Sequence, residues 1–174
     1  MKNIEEYIRS IPDFPKEGII FRDVTTVLQD ADGFHLAIDE MMKCLEGVEF
    51  DVVAAAESRG FVFAAPIAYS LCKPLVLVRK AGKLPFDTIS REYSLEYGSS
   101  TLEMHSDSIK KGQRVVIVDD LVATGGTLEC AAKLVEDLGG TVEKILCLIE
   151  LKGLKGRELL KDYDLTSVIK YEGK

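Results

Sequence analysis

Two adjacent carboxylates, Asp119 and Asp120, follow an aliphatic run and precede a turn of small and hydroxyl residues. The stretch 115–127 reads VVIVDDLVATGGT, and its branched aliphatic residues favour a buried strand. Apolar residues recur at helical spacing after the turn, so the glycines stand just before a helix. The N-terminus of a helix offers unpaired N–H groups and the positive end of the helix dipole. The pattern therefore predicts a strand, a phosphate-binding turn and a helix.

The turn is unlike two common phosphate loops, because it has neither the GxxxxGK[ST] nor the GxGxxG pattern. A carboxylate pair beside a phosphate-binding turn suits a ligand with vicinal hydroxyls near a phosphate, such as ribose 5-phosphate. Asp119 and Asp120 would then orient the ribose hydroxyls. The predicted phosphate-binding residues are Ala123, Thr124, Gly125, Gly126 and Thr127. The alternative interpretation is a solvated strand end followed by an ordinary turn.

A second strand, turn and helix is predicted by the stretch 51–71, DVVAAAESRGFVFAAPIAYSL. Its polar turn contains Ser58 and Arg59 at the carboxyl end of the strand, where open α/β sheets bind their ligands. The planar guanidinium of Arg59 matches the paired oxygens of a pyrophosphate. A structural ion pair between Arg59 and Glu57 is the alternative.

The repeated strand–turn–helix units predict an α/β fold with a mainly parallel sheet and a site along the carboxyl ends of the strands. The spacing of Ile4, Tyr7, Ile8 and Ile11 predicts a short amphipathic helix at the start of the chain. Asp32 is the predicted cap of the next helix. Residues 164–171 alternate as expected of a final edge strand.

Composition limits the function classes. The 174 residues, 47% of them hydrophobic, suffice for one domain spanning 1–174. The formal net charge of −7 argues against a nucleic-acid partner. Four separated cysteines indicate neither a disulfide framework nor a zinc site. With no signal-peptide pattern and no apolar run that could span a bilayer, we expect a cytoplasmic protein without a membrane partner.

The VVIVDDLVATGGT stretch resembles the phosphoribosyl diphosphate (PRPP) motif of the type I phosphoribosyltransferases, and its wording is most similar to the adenine-specific members. GIIFRD (18–23), ESRG (57–60), SLEYG (94–98) and GREL (156–159) extend the resemblance over nearly the whole chain. It implies a mainly parallel, twisted sheet flanked by helices. A small hood, formed by residues 1–30 and the C-terminal segment, would cover the base site.

The resemblance also implies an activity. The enzyme would transfer the 5-phosphoribosyl group from PRPP to adenine, giving AMP and pyrophosphate in purine salvage. Mg²⁺ would be bound mainly through the substrate, without dedicated protein ligands, and the chain would form a homodimer.

The adenine-binding residues implied by the resemblance lie in two distant segments. Phe21 would stack on the purine, the backbone of Ile20 and Arg22 would read the exocyclic amine, and Leu151 would close the second face. The residues alone leave two alternatives open. Segment 18–28 could be a hydrophobic connector whose charges pair with each other. The C-terminal stretch ELKGLKGRELL (150–160) could be a solvated basic turn.

A mobile catalytic loop at about residues 80–100 is the last implied feature. Its closure would exclude water from a reactive sugar cation. Glu96 would transfer the proton, Tyr97 lies in the same loop, and Lys83 could reach a neighbouring subunit's site. The implied pyrophosphate ligands are Ser58, Arg59, Arg79, Lys80 and Lys83, and the ESRG turn is expected to contain a nonprolyl cis peptide.

Two rival functions share the central motif. A relative that uses hypoxanthine, guanine or orotate would retain it, but the FRD and SLEYG segments favour adenine. A PRPP-sensing transcription regulator would need an added basic DNA-binding segment and would have lost the loop residues. This chain is acidic and retains Lys83 and Glu96.

Overall fold

The computed structural model describes residues 3–95 and 98–173. The strands are β1 (Arg9–Pro12), β2 (Ile20–Asp23), β3 (Val52–Ala56), β4 (Leu75–Lys80), β5 (Thr88–Ser94), β6 (Ser99–His105), β7 (Arg114–Val122), β8 (Thr141–Leu151) and β9 (Leu165–Tyr171). The α-helices are α1 (Thr25–Leu28), α2 (Ala31–Lys43), α3 (Arg59–Ser70), α4 (Gly126–Asp137) and α5 (Gly156–Leu159). Short 3₁₀ helices span Ile4–Tyr7 and Lys152–Leu154.

The main sheet has the strand order β5-β6-β4-β3-β7-β8-β9. Strands β4, β3, β7, β8 and β9 are parallel to one another, whereas β6 pairs antiparallel with both β4 and β5. The predicted α/β fold with a mainly parallel sheet is therefore confirmed. Strand β9 lies at the edge of the sheet, as the alternation of residues 164–171 predicts.

The helices cover both faces of the central strands. Every residue of β3 is buried, and so are six consecutive residues of β7. Successive side chains of these strands point to opposite faces. Val116 and Val118 belong to one apolar cluster with α2 and α3, whereas Val115 and Ile117 belong to another with α4. Burial on both faces explains why these strands read as continuous aliphatic runs.

Two predictions for the first part of the chain were wrong: the N-terminal amphipathic helix and the cap of the next helix. The helical spacing ends in a single 3₁₀ turn, Ile4–Tyr7, and the chain then forms β1. Strand β1 pairs antiparallel with β2, with Arg9 opposite Asp23, and we call this unit (residues 9–23) the N-terminal hairpin. Helix α2 is capped by Asp30, whose carboxylate accepts a hydrogen bond from Gly33 N at 3.0 Å, and not by Asp32.

Strand β5 and the start of β6 lie in the segment expected to be a catalytic loop, and the two strands form an antiparallel ribbon. Strand β5 packs on α4, and Arg91 donates two hydrogen bonds to Asp137, at 2.5 and 2.7 Å. Glu96 and Tyr97 lie outside the described residues. In the described part of the chain, no helix combines the length and apolar character needed to cross a membrane.

Candidate functional site

Asp119 and Asp120 lie near the carboxyl end of β7, the strand at the centre of the parallel sheet. Both are buried. Asp120 Oδ2 accepts a hydrogen bond from Arg59 Nε at 2.5 Å, and Asp119 Oδ1 accepts one from the Asp120 N–H at 2.8 Å. Burial, followed by the charge of Asp120, raises the pKa of Asp119 well above its ordinary value. One carboxylate is thus paired with a cation, and the other is poorly solvated.

The predicted phosphate-binding turn connects β7 to α4. Gly125 adopts a left-handed conformation, with φ of +88°, which glycine tolerates without steric cost. No side chain in the described residues caps the helix at this position, so the first-turn N–H groups remain available to an anion. The hydroxyls of Thr127 and Tyr93 are 3.4 Å apart, which places strand β5 beside the turn.

A cavity of about 380 Å³ lies at the carboxyl ends of β3, β4 and β7. It brings together residues from three separate stretches of the sequence: 57–59, Lys80 and 119–128. The predicted ligands that line it are Ser58, Arg59, Lys80, Asp119, Asp120, Ala123, Thr124, Gly125, Gly126 and Thr127. Glu57, Leu121, Val122 and Leu128, which the sequence analysis did not single out as ligands, complete the lining.

The turn between β3 and α3 approaches β7 closely. Its Glu57–Ser58 peptide bond is cis, as the resemblance implies. A Cβ atom on Gly60 would lie 2.8 Å from Asp119 Oδ1 and 3.2 Å from Val118 O, so a larger residue would require Asp119 or the start of α3 to shift. This steric requirement is absent from the sequence pattern, because the contacting residues are far apart in the chain.

Glu57 has a different partner from the one considered in the sequence analysis. Because Arg59 pairs with Asp120, the alternative Arg59–Glu57 pair is not formed. Glu57 Oε1 instead accepts a hydrogen bond from Lys80 N at 2.6 Å and lies 3.5 Å from Arg79 Nε. Glu57 therefore joins the carboxyl ends of β3 and β4.

Arg79 and Lys83 are also predicted pyrophosphate ligands, but neither is among the residues that line the cavity. Lys83 lies in the turn after β4, and its carbonyl oxygen is 3.5 Å from Arg79 Nη1. Tyr93, in contrast, lies beside the predicted phosphate-binding turn (residues 123–127, called the phosphate turn below), although no role for it was predicted from the sequence. No short-range signal could have identified Tyr93, because Thr127 is 34 positions away.

The residues assigned to the base lie on the N-terminal hairpin and at the end of β8. The Phe21 ring meets Phe14 edge-on, with centroids 5.3 Å apart. The guanidinium of Arg22 lies 3.9 Å from the ring centroid of Tyr171, which is opposite Leu151 in the β8–β9 register. The hairpin and the C-terminal strands therefore adjoin at this point.

The charges of segment 18–28 do not pair with each other as the alternative interpretation required. Asp23 accepts hydrogen bonds from Thr25 N and Oγ1, at 2.9 and 2.5 Å, and these lower its pKa. Arg22 Nη1 donates instead to Ser10 Oγ at 2.5 Å. The Arg22 side chain thus binds across the hairpin.

Comparisons with known proteins agree with this geometry. A family model of the phosphoribosyl transferase domain matches residues 26–173. The chain is 66% identical to adenine phosphoribosyltransferase from Agathobacter rectalis over 174 residues, which cover 100% of both chains. The chain belongs to the adenine phosphoribosyltransferase family.

Solved structures support the same assignment. Adenine phosphoribosyltransferase from Thermoanaerobacter pseudethanolicus has a TM-score of 0.93 at 56% identity, covering 97% of this chain and 98% of that one. The enzyme from Saccharomyces cerevisiae, complexed with D-2,5-dideoxy-2,5-imino-altritol 1,6-bisphosphate and adenine, has a TM-score of 0.88 at 35% identity, covering 95% and 96%. The resemblance seen in the sequence, the type I fold and the pentosyltransferase class are confirmed.

Proposed function

We propose that this chain transfers the 5-phosphoribosyl group of PRPP to adenine, giving AMP and pyrophosphate. The observation that carries the proposal is the single cavity in which the phosphate turn, the carboxylate pair and Arg59 meet. Family membership supports adenine as the acceptor, because relatives that are 56–66% identical over nearly the whole chain carry the name adenine phosphoribosyltransferase.

PRPP would lie along the carboxyl ends of three strands. The 5-phosphate would accept hydrogen bonds from the turn 123–127, whose first-turn amides are oriented by α4. Asp119 and Asp120 would orient the ribose hydroxyls next to this turn. The pyrophosphate would contact Ser58, Arg59 and Lys80, which also line the cavity, while Arg79 near the end of β4 and Lys83 in the turn after it would approach it.

In the reaction, the bond from the anomeric carbon to a pyrophosphate oxygen breaks, and a bond to an adenine ring nitrogen forms. Positive charge develops on the ribose, and negative charge develops on the departing pyrophosphate. Arg59 and Lys80 would stabilise the departing charge, and the buried carboxylates would stabilise the sugar cation. The nitrogen releases its proton as it bonds, and Glu96 is the proposed acceptor.

Mg²⁺ is the proposed metal, and the donor chemistry of the site fits it. Carboxylate oxygens are the hard ligands that Mg²⁺ prefers, and this ion commonly combines one or two carboxylates with substrate phosphates and water. No cluster of three or more metal-binding side chains occurs within residues 3–95 and 98–173. Asp119 and Asp120 would hold the ion through the substrate, and its charge would offset that of the pyrophosphate.

Adenine would bind between Phe21 and Leu151, under the hood formed by residues 1–30 and the C-terminal segment. Strand β2 pairs with β1 along one edge, and no described strand pairs with its other edge. Backbone groups of Ile20 and Arg22 on that edge would be available to read the exocyclic amine. A site built to bond this amine rejects an oxo analogue, because its own polar groups would be left unpaired.

A homodimer and a cytoplasmic location complete the proposal. Val62 and Tyr69 are large apolar side chains exposed on α3, the helix that begins at Arg59. A second copy on this face would adjoin the pyrophosphate side of the cavity. The four cysteines are free thiols, which agrees with a reducing compartment. The net charge of −7 argues against a nucleic-acid partner.

Pyrophosphate release by the purified protein tests the function. The protein is supplied with PRPP and Mg²⁺ and is offered adenine, hypoxanthine, guanine or orotate in parallel. We expect turnover with adenine alone. Turnover with another base would reassign the acceptor, and binding of PRPP without turnover on any base would favour the sensor.

A further inference from the structure

The short helix α5 contacts the phosphate turn backbone to backbone. A Cβ atom on Gly156, the first residue of α5, would lie 2.4 Å from Ala123 O and 3.2 Å from Gly125 N. A Cβ atom on Gly125 would in turn lie 3.0 Å from Gly156 O. Gly156 does not have a left-handed φ, so the position requires space rather than an unusual conformation.

The next residue, Arg157, joins α5 to the last two strands of the sheet. Its Nε and Nη2 donate to the two carboxylate oxygens of Glu150 at 2.9 and 2.6 Å, and its Nη1 donates to Leu165 O at 2.8 Å. Ser167 Oγ donates to Glu150 Oε2 at 2.6 Å. The Arg157 bonds lower the pKa of the buried Glu150. This planar, bidentate pairing fixes both the position and the orientation of α5.

We propose that Gly156 and Arg157 are positioning residues for the 5-phosphate of PRPP. Arg157 holds α5 on β8 and β9, and Gly156 allows α5 to support the backbone of the turn from 123 to 125. This inference rests on the proposed function, which places the 5-phosphate in that turn. The two residues would act through the turn and need not touch the substrate.

A methyl group at position 156 would force one of two backbones to move. Neither Ala123 O nor Gly125 N belongs to a flexible side chain, so the clash cannot be relieved by a rotamer change. The hydrogen bonds of the turn depend on donor positions, which weaken steeply as distance and angle depart from ideal values. A displacement of the turn would therefore weaken the phosphate contacts and leave the pyrophosphate contacts at α3 unchanged.

The test compares Gly156→Ala with Gly173→Ala, a matched control at a glycine that has no left-handed φ and where an added Cβ would meet no atom within 4 Å. Inhibition constants are measured for ribose 5-phosphate and for pyrophosphate, together with KM for PRPP and for adenine. For Gly156→Ala we expect the ribose 5-phosphate constant and the PRPP KM to rise about 10-fold, the equivalent of one charge-assisted hydrogen bond. The pyrophosphate constant and the control are expected to stay unchanged.

The assay separates the inference from general destabilisation and from a failure of the proposed function. An unchanged ribose 5-phosphate constant in Gly156→Ala would overturn the inference, and so would an equal rise in both inhibition constants, which indicates general destabilisation. If Gly156→Ala does not fold, Arg157→Lys is read in the same assay, because it keeps the charge and loses the bidentate geometry. A selective loss of ribose 5-phosphate binding supports the inference, whereas no loss or a parallel loss overturns it. A wild-type protein without turnover on adenine would contradict the proposed function instead.

Discussion

The two ends of the proposed substrate site are built differently. The phosphate end lies on β7, in the middle of the sheet, and its carboxylates are buried between elements that belong to the core. The base end lies on a two-stranded hairpin outside the main sheet, where Ile20 is 41% exposed and Phe21 is half-buried. Charged groups are thus fixed by the core, and the proposed base contacts are added at the surface.

This difference follows from what each end is proposed to do. Stabilising developing charge requires dipoles and ions that are already in place before the reaction, which a rigid, buried framework provides. Binding a flat apolar base requires an aromatic face and a few backbone groups, which a small hairpin can supply. We therefore expect substitutions at the two ends to affect different substrates and to differ in size.

The largest effect is expected from Asp120→Asn at the phosphate end. The substitution removes the charge that pairs with Arg59 at 2.5 Å and the proposed contact with the ribose. We expect kcat/KM for PRPP to fall roughly 10²-fold, the upper range for losing charge-assisted hydrogen bonds. Steady-state kinetics with each substrate varied in turn measure it, and Asp107→Asn, at an exposed carboxylate after β6, is the control. An equal rise in KM for PRPP and for adenine would show that the two ends of the site are not independent.

A smaller and complementary effect is expected from Phe21→Ala at the base end. Stacking of an aromatic side chain on a base is worth ~1–3 kcal/mol, so KM for adenine should rise about 10-fold while KM for PRPP stays the same. The control is Leu71→Ala, because Leu71 is 36% exposed and lies neither on the hairpin nor in the segment 80–100. A rise in the PRPP KM alone would remove Phe21 from the base site.

The smallest effect is on the free energy of unfolding rather than on activity. It tests how much the burial of the Asp119 carboxylate destabilises the folded state. The raised pKa of Asp119 means that the folded state holds this proton to a higher pH than the unfolded chain does. The associated stability is complete below the ordinary pKa of 3.8 and is lost as pH rises through the raised value. Asp119→Asn should therefore gain stability over the wild type at higher pH, by about 1 kcal/mol, the usual size for a single substitution.

Urea unfolding at about pH 4 and about pH 8 measures this gain, since linkage makes the difference depend on pH. The gain should be larger at the higher pH, although the variant is expected to lose activity. The variant Asp107→Asn, which removes an exposed carboxylate, is measured alongside as the control. A gain of equal size at both values would mean that Asp119 does not titrate between them.

The strand, turn and helix of the proposed phosphate end were predicted well from the sequence, because their determinants are local. The strand, the acid pair, the turn and the helix occupy one continuous stretch, and the structure brings that stretch to the cavity with Arg59 and Lys80. The partner of Arg59 was not predictable in the same way. Asp120 is 61 positions away, and only the parallel pairing of β3 and β7 brings the two together.

The base end shows the limit of local patterns. The spacing of Ile4 to Ile11 fits a helix, yet pairing with β2 places the second half of that stretch in a strand. The paired residues of β1 and β2 lie between 8 positions (Pro12 and Ile20) and 14 positions (Arg9 and Asp23) apart, so helical periodicity within the first stretch does not reveal the pairing. The roles of Phe21, Leu151, Glu96 and the loop lysines came from the resemblance and stay predictions.

The N-terminal hairpin has a further consequence for protein engineering. The hairpin begins at Arg9 and ends at Asp23, which lie opposite each other in the strand pair. Arg9 Nη1 is 3.8 Å from Asp23 Oδ2. Thr26 Oγ1 also links the two ends of the hairpin, which we call its neck. It accepts a hydrogen bond from Arg9 N at 3.1 Å and donates one to Tyr7 O at 2.6 Å. An insert that preserves this neck need not alter the main sheet. We therefore expect that replacing the hairpin can change the proposed acceptor preference while the proposed phosphate site keeps its structure.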